Sequence, residues 1–273
     1  MSRTLITFIS DLHVGSSTGL CPAEGISLDD GGVYLPSKAQ AELYRVWERF
    51  FELSRTYRRV KKRVLIINGD LIDGAHHNTV ALATNNLQTQ EAAAVSILKP
   101  VTEQFNRIYV TRGTEAHVQP SAQADERIAA AIGAEIEPAT GNHSTWQLWL
   151  DVDGIIFNIA HHIGTTSSAA YESSAVMREM VAALVEAGQW QQRMPDIFMR
   201  SHRHRYIELG IPSARGKIQA LVTPAWQLRT PYIERLDRMR MPHIGGINIL
   251  IEDGTCQINE KIYPFAPTEM VTV

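Results

Sequence analysis

The chain has 273 residues, of which 44% are hydrophobic and 20% are charged, proportions typical of a soluble globular protein. The formal net charge of −3 excludes a global electrostatic attraction to nucleic acid or anionic lipid, so such a contact would depend on a local patch. Two cysteines are too few for a disulfide framework and favour a reducing compartment, and no apolar run approaches the ~20 residues of a membrane span.

The first predicted element is a short apolar strand, Ile6 to Ile9, that leads directly into Asp11 and His13. Apolar runs rich in β-branched residues and closed by serine or glycine are typical of buried parallel strands, whose carboxyl ends carry the chemistry of α/β proteins. Because residues two apart point the same way, Asp11 and His13 offer a carboxylate oxygen and an imidazole nitrogen to one ion.

Strands and helices alternate after a long loop, Gly15 to Ser37. The predicted elements are a helix from Ala39 to Val60, a strand from Val64 that ends in Gly69-Asp70, a helix from Glu91 to Leu98 that stops before Pro100, a strand from Phe105 to Thr111, and a helix from Asp125 to Ile132 closed by Gly133. Asp73 follows the second strand, and the turn from Arg112 to His117 follows the third.

From Ser144 onwards the pattern favours successive strands. The predicted elements are a strand over Ser144 to Val152, a turn at Asp153-Gly154, a strand from Ile155 that runs into His161 and His162, a helix from Ser173 that ends at Gly188, and strands over Asp196 to Met199, Lys217 to Val222 and Ile247 to Glu252. Ser201-His202-Arg203-His204 follows the third of these strands. No internal repeat or linker interrupts the chain, which favours a single domain over residues 1–273.

Five predicted strands therefore end in loops that carry carboxylates or imidazoles, a pattern that chance explains poorly. Carboxylate and imidazole donors without thiolates suit Mn²⁺, Fe, Zn²⁺ or Mg²⁺. At least six donors exceed the needs of one tetrahedral ion and suit two divalent ions that share a carboxylate, for which Asp70 is the natural choice.

These residues resemble the five ordered motifs of the calcineurin-like metallophosphoesterase superfamily, over Thr4 to about Tyr206. The motifs are Asp11-Leu12-His13, Gly69-Asp70-Leu71-Ile72-Asp73, the turn from Gly113 to His117, His161, and Ser201-His202-Arg203-His204. The resemblance implies a four-layer α/β/β/α sandwich of two mixed sheets flanked by helices. It further implies that Asp11, His13 and His204 hold a first metal, that Asp70 bridges, and that His161 and His202 hold a second. Asp73 resembles the carboxylate that orients a neighbouring ligand.

Two positions depart from the family pattern. The third motif usually reads Gly-Asn-His-Glu or Gly-Asn-His-Asp, whereas this chain has Gly113-Thr114-Glu115-Ala116-His117. Glu115, water or nothing could take the place of the asparagine, and His117 is the imidazole available to protonate a leaving group. A literal Gly141-Asn142-His143 occurs downstream, but no buried strand precedes it, which disfavours it as the third motif. Ser201 replaces the usual glycine of the last motif.

Several assignments stay open at this point. His161 is favoured over His162 because it comes directly off its strand. His76 and His77 could contact substrate or lie exposed on their loop. Arg112 could bind phosphate or form a surface ion pair. The stretch Arg229 to Arg240 could face nucleic acid, with a solvated surface as the simpler interpretation.

We therefore hypothesise a dinuclear-metal-dependent phosphoester hydrolase, a phosphodiesterase or nuclease, in which a metal-bridging hydroxide attacks phosphorus and His117 protonates the leaving group. Manganese is the favoured metal. The alternatives are a phosphomonoesterase or protein phosphatase, and a catalytically inactive scaffold with the same fold. The overall pattern is similar to phage-type members of the superfamily, so the expected location is the cytoplasm, of a host cell if the protein is phage-encoded. The expected partner is a phosphoester, with nucleic acid as one candidate and no membrane.

Overall fold

A computed structural model describes residues 3–76, 79–118, 120–164, 169–214, 216–236 and 241–265. The strands are β1 (Arg3–Ile9), β2 (Ile26–Ser27), β3 (Val33–Tyr34), β4 (Lys62–Asn68), β5 (Arg107–Thr111), β6 (Ser144–Thr145), β7 (Gln147–Val152), β8 (Ile155–Ala160), β9 (Ile197–Arg200), β10 (Ile207–Ser213), β11 (Gly216–Val222), β12 (Ile244–Glu252) and β13 (Thr255–Tyr263). The helices are α1 (Lys38–Arg55), α2 (Leu87–Thr102), α3 (Glu115–Val118), α4 (Gln123–Ala131), α5 (Glu172–Trp190) and α6 (Pro231–Leu236).

The first sheet has six strands in the order β13-β12-β1-β4-β5-β6. Strands β1, β4, β5 and β6 are parallel, whereas β12 is antiparallel to both β1 and β13. The carboxyl ends of β1, β4 and β5 therefore meet at one edge of this sheet, as the predicted strand-helix alternation requires.

The second sheet has five strands in the order β10-β11-β9-β8-β7. Its centre is parallel, with β8 beside β9 and β9 beside β11, and its two outer strands are antiparallel. Both sheets are therefore mixed, as the sequence led us to expect.

Three apolar clusters separate four layers. Side chains of both sheets, such as Phe8, Ile66, Phe157 and Met199, form the cluster between them. A second cluster joins the other face of the first sheet to α1, α2 and α4, and a third joins the outer face of the second sheet to α5. The four-layer α/β/β/α arrangement is thus confirmed, because each sheet buries both of its faces.

Helix α1 shows how local sequence sets an element boundary. The Ser37 side chain accepts the Gln40 N–H, and the Gln40 side chain accepts the Ser37 N–H, so the pair forms a capping box. The helix buries Leu43, Trp47 and Phe50 at helical spacing. It ends at Arg55, and the prediction that it continues to Val60 was wrong.

Two helices extend beyond the residues that were predicted to stop them. Helix α2 continues through Pro100 to Thr102, because proline there costs only one hydrogen bond near the helix end while Ile97 and Val101 stay buried. Helix α5 continues through Gly188 and ends with Gln191 in the left-handed conformation at φ 54°. A glycine in the sequence is therefore a weak signal for a helix end when the neighbouring residues favour helix.

The predicted strand over Ser144 to Val152 is two strands in different sheets. Residues Ser144 and Thr145 extend the first sheet beside β5, and from Gln147 onwards the chain pairs with β8 in the second sheet. The chain therefore crosses between the sheets at Trp146. The hairpin turn at Asp153-Gly154 is confirmed, with φ values of 51° and 90°.

Strands β2, β3, β10 and β13 were not predicted. The edge strands β10 and β13 expose alternate side chains, so they lack the continuous apolar runs that reveal a buried strand. Within the described parts of the chain, we find no helix with the combined length and apolarity that crossing a bilayer demands.

Candidate metal centre

The loops that follow β1, β4, β8 and β9 converge at the edge where the two sheets meet. They bring together all six predicted metal ligands, in two groups whose donor atoms lie within 4.8 Å of one another. The first group is Asp11, His13 and His204, and the second is Asp70, His161 and His202.

The first group is centred on Asp11 Oδ1. The Nε2 atom of His204 lies 3.3 Å from it, and the Nε2 atom of His13 lies 4.0 Å from it. The two imidazole Nε2 atoms are 3.2 Å apart. One carboxylate oxygen and two imidazole nitrogens thus face a common point.

The second group is centred on Asp70 Oδ2, which lies 3.0 Å from His161 Nε2. The same oxygen lies 3.9 Å from His13 Nε2, and His161 Nε2 lies 3.9 Å from Asp11 Oδ1. The two groups are therefore adjacent, and Asp70 Oδ2 lies between them, where a shared carboxylate would be needed.

Three buried side-chain atoms that could bind a metal lack a hydrogen-bond partner among the described residues: Asp11 Oδ1, Asp70 Oδ2 and His161 Nε2. The Asp70 and His161 atoms lie 3.0 Å apart and form an ion pair when His161 is protonated. A buried polar atom without a hydrogen-bond partner costs about 1–3 kcal/mol, so three such atoms in one place are typical of a ligand-binding site. Oxygen and imidazole donors in this arrangement fit divalent cations.

The backbone at the cluster is also unusual. Five of the six residues have positive φ: Asp11 at 54°, His13 at 46°, Asp70 at 53°, His202 at 70° and His204 at 54°. A non-glycine residue in this region costs about 1–2 kcal/mol. Such conformations concentrate at functional sites, where surrounding contacts hold them.

Hydrogen bonds behind two of the histidines orient their rings. The Nδ1 atom of His13 lies 2.9 Å from Asp73 Oδ1, and the Nδ1 atom of His161 lies 2.6 Å from the Asn68 carbonyl. Each acceptor holds a proton on Nδ1, so Nε2 is the ring nitrogen that faces the cluster. Asp73 thus lies where the resemblance places an orienting carboxylate.

The charges of the cluster shift its pKa values in opposite directions. Burial alone would raise the pKa of Asp70, but the charges of His161, His117 and His13 together outweigh it and hold this pKa well below its usual range. Burial alone would lower the pKa of His161, but Asp70 and Asp11 raise it to about 10. Burial and the charge of His161 lower the pKa of His202 to about 4.

The third motif lies beside Asp70 without the usual asparagine. The Thr114 backbone N–H donates to Asp70 Oδ1 at 2.6 Å, and the Thr114 hydroxyl lies 3.2 Å from His202 Nδ1. The Glu115 side chain accepts the Ser121 N–H instead and does not join the cluster. The expectation that Glu115 contacts the metal or substrate is therefore not supported, because α3 turns its side chain outwards.

His117 lies against the cluster from α3. Its Nδ1 atom is 2.8 Å from the Asp73 carbonyl, and its ring centroid is 4.6 Å from that of His13. Burial and the charge of His13 lower the pKa of His117 to about 4. The residue thus reaches the site although it stands two positions later than in the family motif.

Arg112 is bound elsewhere than in the cluster. Its guanidinium donates to Ser144 Oγ and to the Ser121 carbonyl, and it lies 3.7 Å from Glu126 and over the Trp146 ring. These contacts fix the chain at β6, so the structural alternative is favoured over phosphate binding.

The structure also distinguishes between the histidines that the sequence left as alternatives. The His161 side chain is buried in the cluster, whereas His162 is exposed, with its ring centroid 4.8 Å from that of His202. His143 binds the Ala134 carbonyl through Nδ1, away from both groups. The downstream Gly141-Asn142-His143 is therefore not part of the site.

Two further sequence expectations concern the periphery. His76 Nε2 lies 3.5 Å from Asp73 Oδ2, so this histidine contacts the site margin rather than open solvent; His77 lies outside the described residues. In the basic stretch, Arg229 pairs with Glu234 at 3.1 Å, and residues 237–240 lie outside the described residues.

Sequence reasoning missed a buried polar network beneath the cluster. Ser10 Oγ contacts Asp11 Oδ2 at 2.5 Å and Thr223 Oγ1 at 2.6 Å. Thr223 Oγ1 in turn contacts Ser201 Oγ at 2.7 Å, and Asn68 Nδ2 donates to Ser201 Oγ at 2.6 Å. Ser201 is therefore part of a link between the two sheets, and small hydroxyl residues at strand ends were the available signal.

Asp125 was also missed as a site residue. It is fully buried on α4 and accepts backbone N–H groups from the loops after β4 and β5. Burial and the charge of Asp70 raise the pKa of Asp125 to about 7. A charged residue on the buried face of a predicted helix was the signal for it.

No protein-family model matches this sequence, and no curated protein matches it. Among solved structures, similarity is found to Vps29 complexed with zinc from Entamoeba histolytica, at 10% identity and a TM-score of 0.42 over 94% of this chain and 98% of that one. It is also found to an archaeal phosphodiesterase, at 11% identity and 0.44 over 95% and 99%, and to a purple acid phosphatase from yellow lupin, at 12% and 0.45 over 96% and 53%. Similarity at these levels assigns no role to any residue, so the site is interpreted from its own atoms.

Proposed function

We propose that this protein is a metal-dependent phosphoester hydrolase of the calcineurin-like metallophosphoesterase superfamily. The observation that carries the proposal is the convergence of unpartnered buried donor atoms at the edge where the two sheets meet. Five of the six residues of the cluster have positive φ. This conformation is energetically unfavourable, and proteins keep it mainly where function requires it.

The residues present fit two divalent cations. Asp11, His13 and His204 would hold the first, His161 and His202 the second, and Asp70 would serve both. We propose manganese, with iron, zinc or magnesium as alternatives that the same donors accept. Divalent cations supply Lewis-acid charge neutralisation and the activation of water at neutral pH, which phosphoester hydrolysis needs.

The chain itself would contribute orientation and proton transfer. Asp73 holds the His13 ring, and the Thr114 N–H holds one oxygen of Asp70, so that the other faces the cluster. We propose His117 as the general acid. Burial and the charge of His13 lower its pKa to about 4, and the negative charge of a bound phosphoester would favour its protonated form.

Within this class we propose a phosphodiesterase or nuclease. The Gly-Asn-His-Glu form typical of protein phosphatases is missing at residues 113–117, which supports a diester substrate. The same substitution favours a second candidate, an inactive scaffold, because Thr114 brings no carboxamide to the site.

One experiment separates these possibilities. The full chain is stripped with a chelator and reloaded with Mn²⁺, its metal content is measured, and hydrolysis of bis-p-nitrophenyl phosphate is compared with that of p-nitrophenyl phosphate. We expect two ions per chain and faster cleavage of the diester. Asp70→Asn and His202→Ala should lower the rate by more than about 100-fold, beyond the effect typical of residues behind a ligand. His143→Ala, a histidine outside the cluster, is the matched control.

Each contrary result has a defined meaning. Metal binding without hydrolysis of either compound would identify a scaffold, and preference for the monoester would identify a phosphomonoesterase. A folded protein that binds no metal would contradict the proposed function altogether.

A further inference from the structure

Asp125 lies in the second layer behind the metal centre, on the buried face of α4. Its side chain is fully buried, and no ion pair to it is found within the described part of the chain. Its two oxygens accept two backbone N–H groups: Gly113 donates to Oδ2 at 2.7 Å, and Leu71 donates to Oδ1 at 3.4 Å. One carboxylate thus joins two loops.

These two loops carry the residues around the second metal group. Leu71 directly follows Asp70, and Gly113 directly precedes Thr114. The Thr114 N–H donates to Asp70 Oδ1 at 2.6 Å, which leaves Asp70 Oδ2 to face His161 Nε2 at 3.0 Å. The position of the Thr114 N–H therefore decides which oxygen of Asp70 is available.

The loop that contains Gly113 packs so closely against Asp70 that neither can shift freely. A Cβ atom at Gly113 would lie 2.2 Å from both the backbone nitrogen and Oδ1 of Asp70. The loop after β5 therefore lies directly against Asp70. A carboxylate at residue 125 suits the junction because both converging groups are donors, whereas an amide would turn its own donor towards one of them.

We propose that Asp125 is a positioning residue for the second metal ion: it fixes the loop after β5 against the loop after β4, so that Asp70 presents Oδ2 to that ion. The inference rests on the proposed function, because it assumes that Asp70, His161 and His202 bind a cation. Asp125 touches neither the cation nor the substrate.

The chain offers a matched control at the next residue. Glu126 lies on the same helix and also accepts two backbone N–H groups, from His143 and Ser144 at 2.8 Å each. It thereby holds β6 rather than the loops around Asp70. Asp125→Asn and Glu126→Gln make the same chemical change in the same kind of contact.

The test is a calorimetric titration of the metal-free full chain with Mn²⁺. We expect Asp125→Asn to weaken binding of the second ion by about 10–100-fold, the range for residues behind a ligand, and to weaken binding of the first ion less, because Asp11, His13 and His204 still hold it. Glu126→Gln should bind both ions as the wild type does. A general loss of structure would weaken binding of both ions equally and would overturn the proposal, so the unequal loss is diagnostic.

A second variant keeps the proposal falsifiable if Asp125→Asn does not fold. Thr114→Pro removes the N–H that reaches Asp70 while Asp125 stays in place, and it should weaken binding of the second ion more than Thr114→Ala, which removes only the hydroxyl near His202. Wild-type affinity for both ions in either folded variant would overturn the proposal and leave the hydrolase proposal intact. A wild-type chain that binds no Mn²⁺ would overturn both.

Discussion

Asp73 lies beside both a candidate metal ligand, His13, and the candidate general acid, His117. Its Oδ1 atom binds His13 Nδ1 at 2.9 Å and lies 3.7 Å from His117 Nδ1, while Gln227 Nε2 donates to the same oxygen at 3.3 Å. Burial alone would raise the pKa of Asp73, but its contacts with His13, His76 and His117 together outweigh this and lower the pKa, which keeps the carboxyl ionised. One carboxylate thereby orients a candidate ligand and lies beside the candidate acid.

His117→Ala tests the acid role. We expect the rate to fall most for diesters with poor leaving groups, by about 100-fold or more, because the more basic phenolate needs a proton that p-nitrophenolate does not. The measurement is kcat/KM for phenyl and p-nitrophenyl diesters, with His162→Ala, the exposed neighbour of the cluster, as control. Equal losses on both substrates would count against His117 as the acid.

His161 makes the stability of the metal-free protein depend on pH. Its folded pKa of about 10 lies above the ordinary value of 6.5, so the contact with Asp70 stabilises the fold fully below about pH 6.5. This stabilisation is lost as the pH rises through about 10. The free energy of unfolding, measured in urea with a chelator, should therefore differ most between wild type and His161→Gln near neutral pH and less at alkaline pH.

The comparison needs one control. His162→Gln changes an exposed neighbour whose pKa is lowered by burial and by His161, so it should leave the profile above neutral pH unaltered. A difference between wild type and His161→Gln that grows with pH would contradict the assignment.

At the scale of elements, glycine marks a helix end in one place and not in another. Gly133 follows α4 with φ 74°, as its position predicts, whereas Gly188 lies inside α5 without positive φ and with open space around its Cα. The same residue type thus has opposite meanings, and the backbone conformation distinguishes the two positions.

Gly188→Ala should stabilise the protein by about 0.5–1 kcal/mol, because alanine loses less conformational freedom in a helix interior. Gly133→Ala should destabilise it by about 1–2 kcal/mol, since alanine at positive φ is strained. Both are measured as changes in the free energy of unfolding. Destabilisation by Gly188→Ala would show that α5 ends where the sequence alone predicted.

At the scale of the whole molecule, the candidate ligands come from loops of both sheets. Asp11, His13 and Asp70 follow strands of the first sheet, and His161, His202 and His204 follow strands of the second. A bound cation would therefore connect the two halves of the sandwich, as the network through Thr223 already does.

Metal binding should accordingly raise thermal stability. A hundredfold excess of Mn²⁺ over its Kd adds about 2.7 kcal/mol, which corresponds to roughly 5–10 °C in Tm for a chain of this size. Thermal unfolding of the stripped and reloaded protein measures the shift. Asp70→Asn should lose most of it and Glu126→Gln should keep it, and an unchanged wild-type Tm would contradict the metal site.

The sequence by itself determined which strands end in donors. Apolar runs that stop at Asp11, Asp70, His161 and His202 are local signals, and parallel strands bring their ends to one edge, so the six candidate ligands could be predicted. The four layers were predicted from the resemblance of the ordered motifs to a known family. Those features depend on residues that are neighbours in the chain.

Only the tertiary structure decided which side chains face inwards. The burial of His161 rather than His162, the outward turn of Glu115 and the pairing of Arg112 with Ser121 and Ser144 depend on packing between elements. Asp125 joins Leu71, 54 residues away in the chain, to Gly113, and the chain crosses between sheets at Trp146 inside one apolar run. Such contacts join segments remote in sequence, and no local pattern of residues specifies which of them will meet.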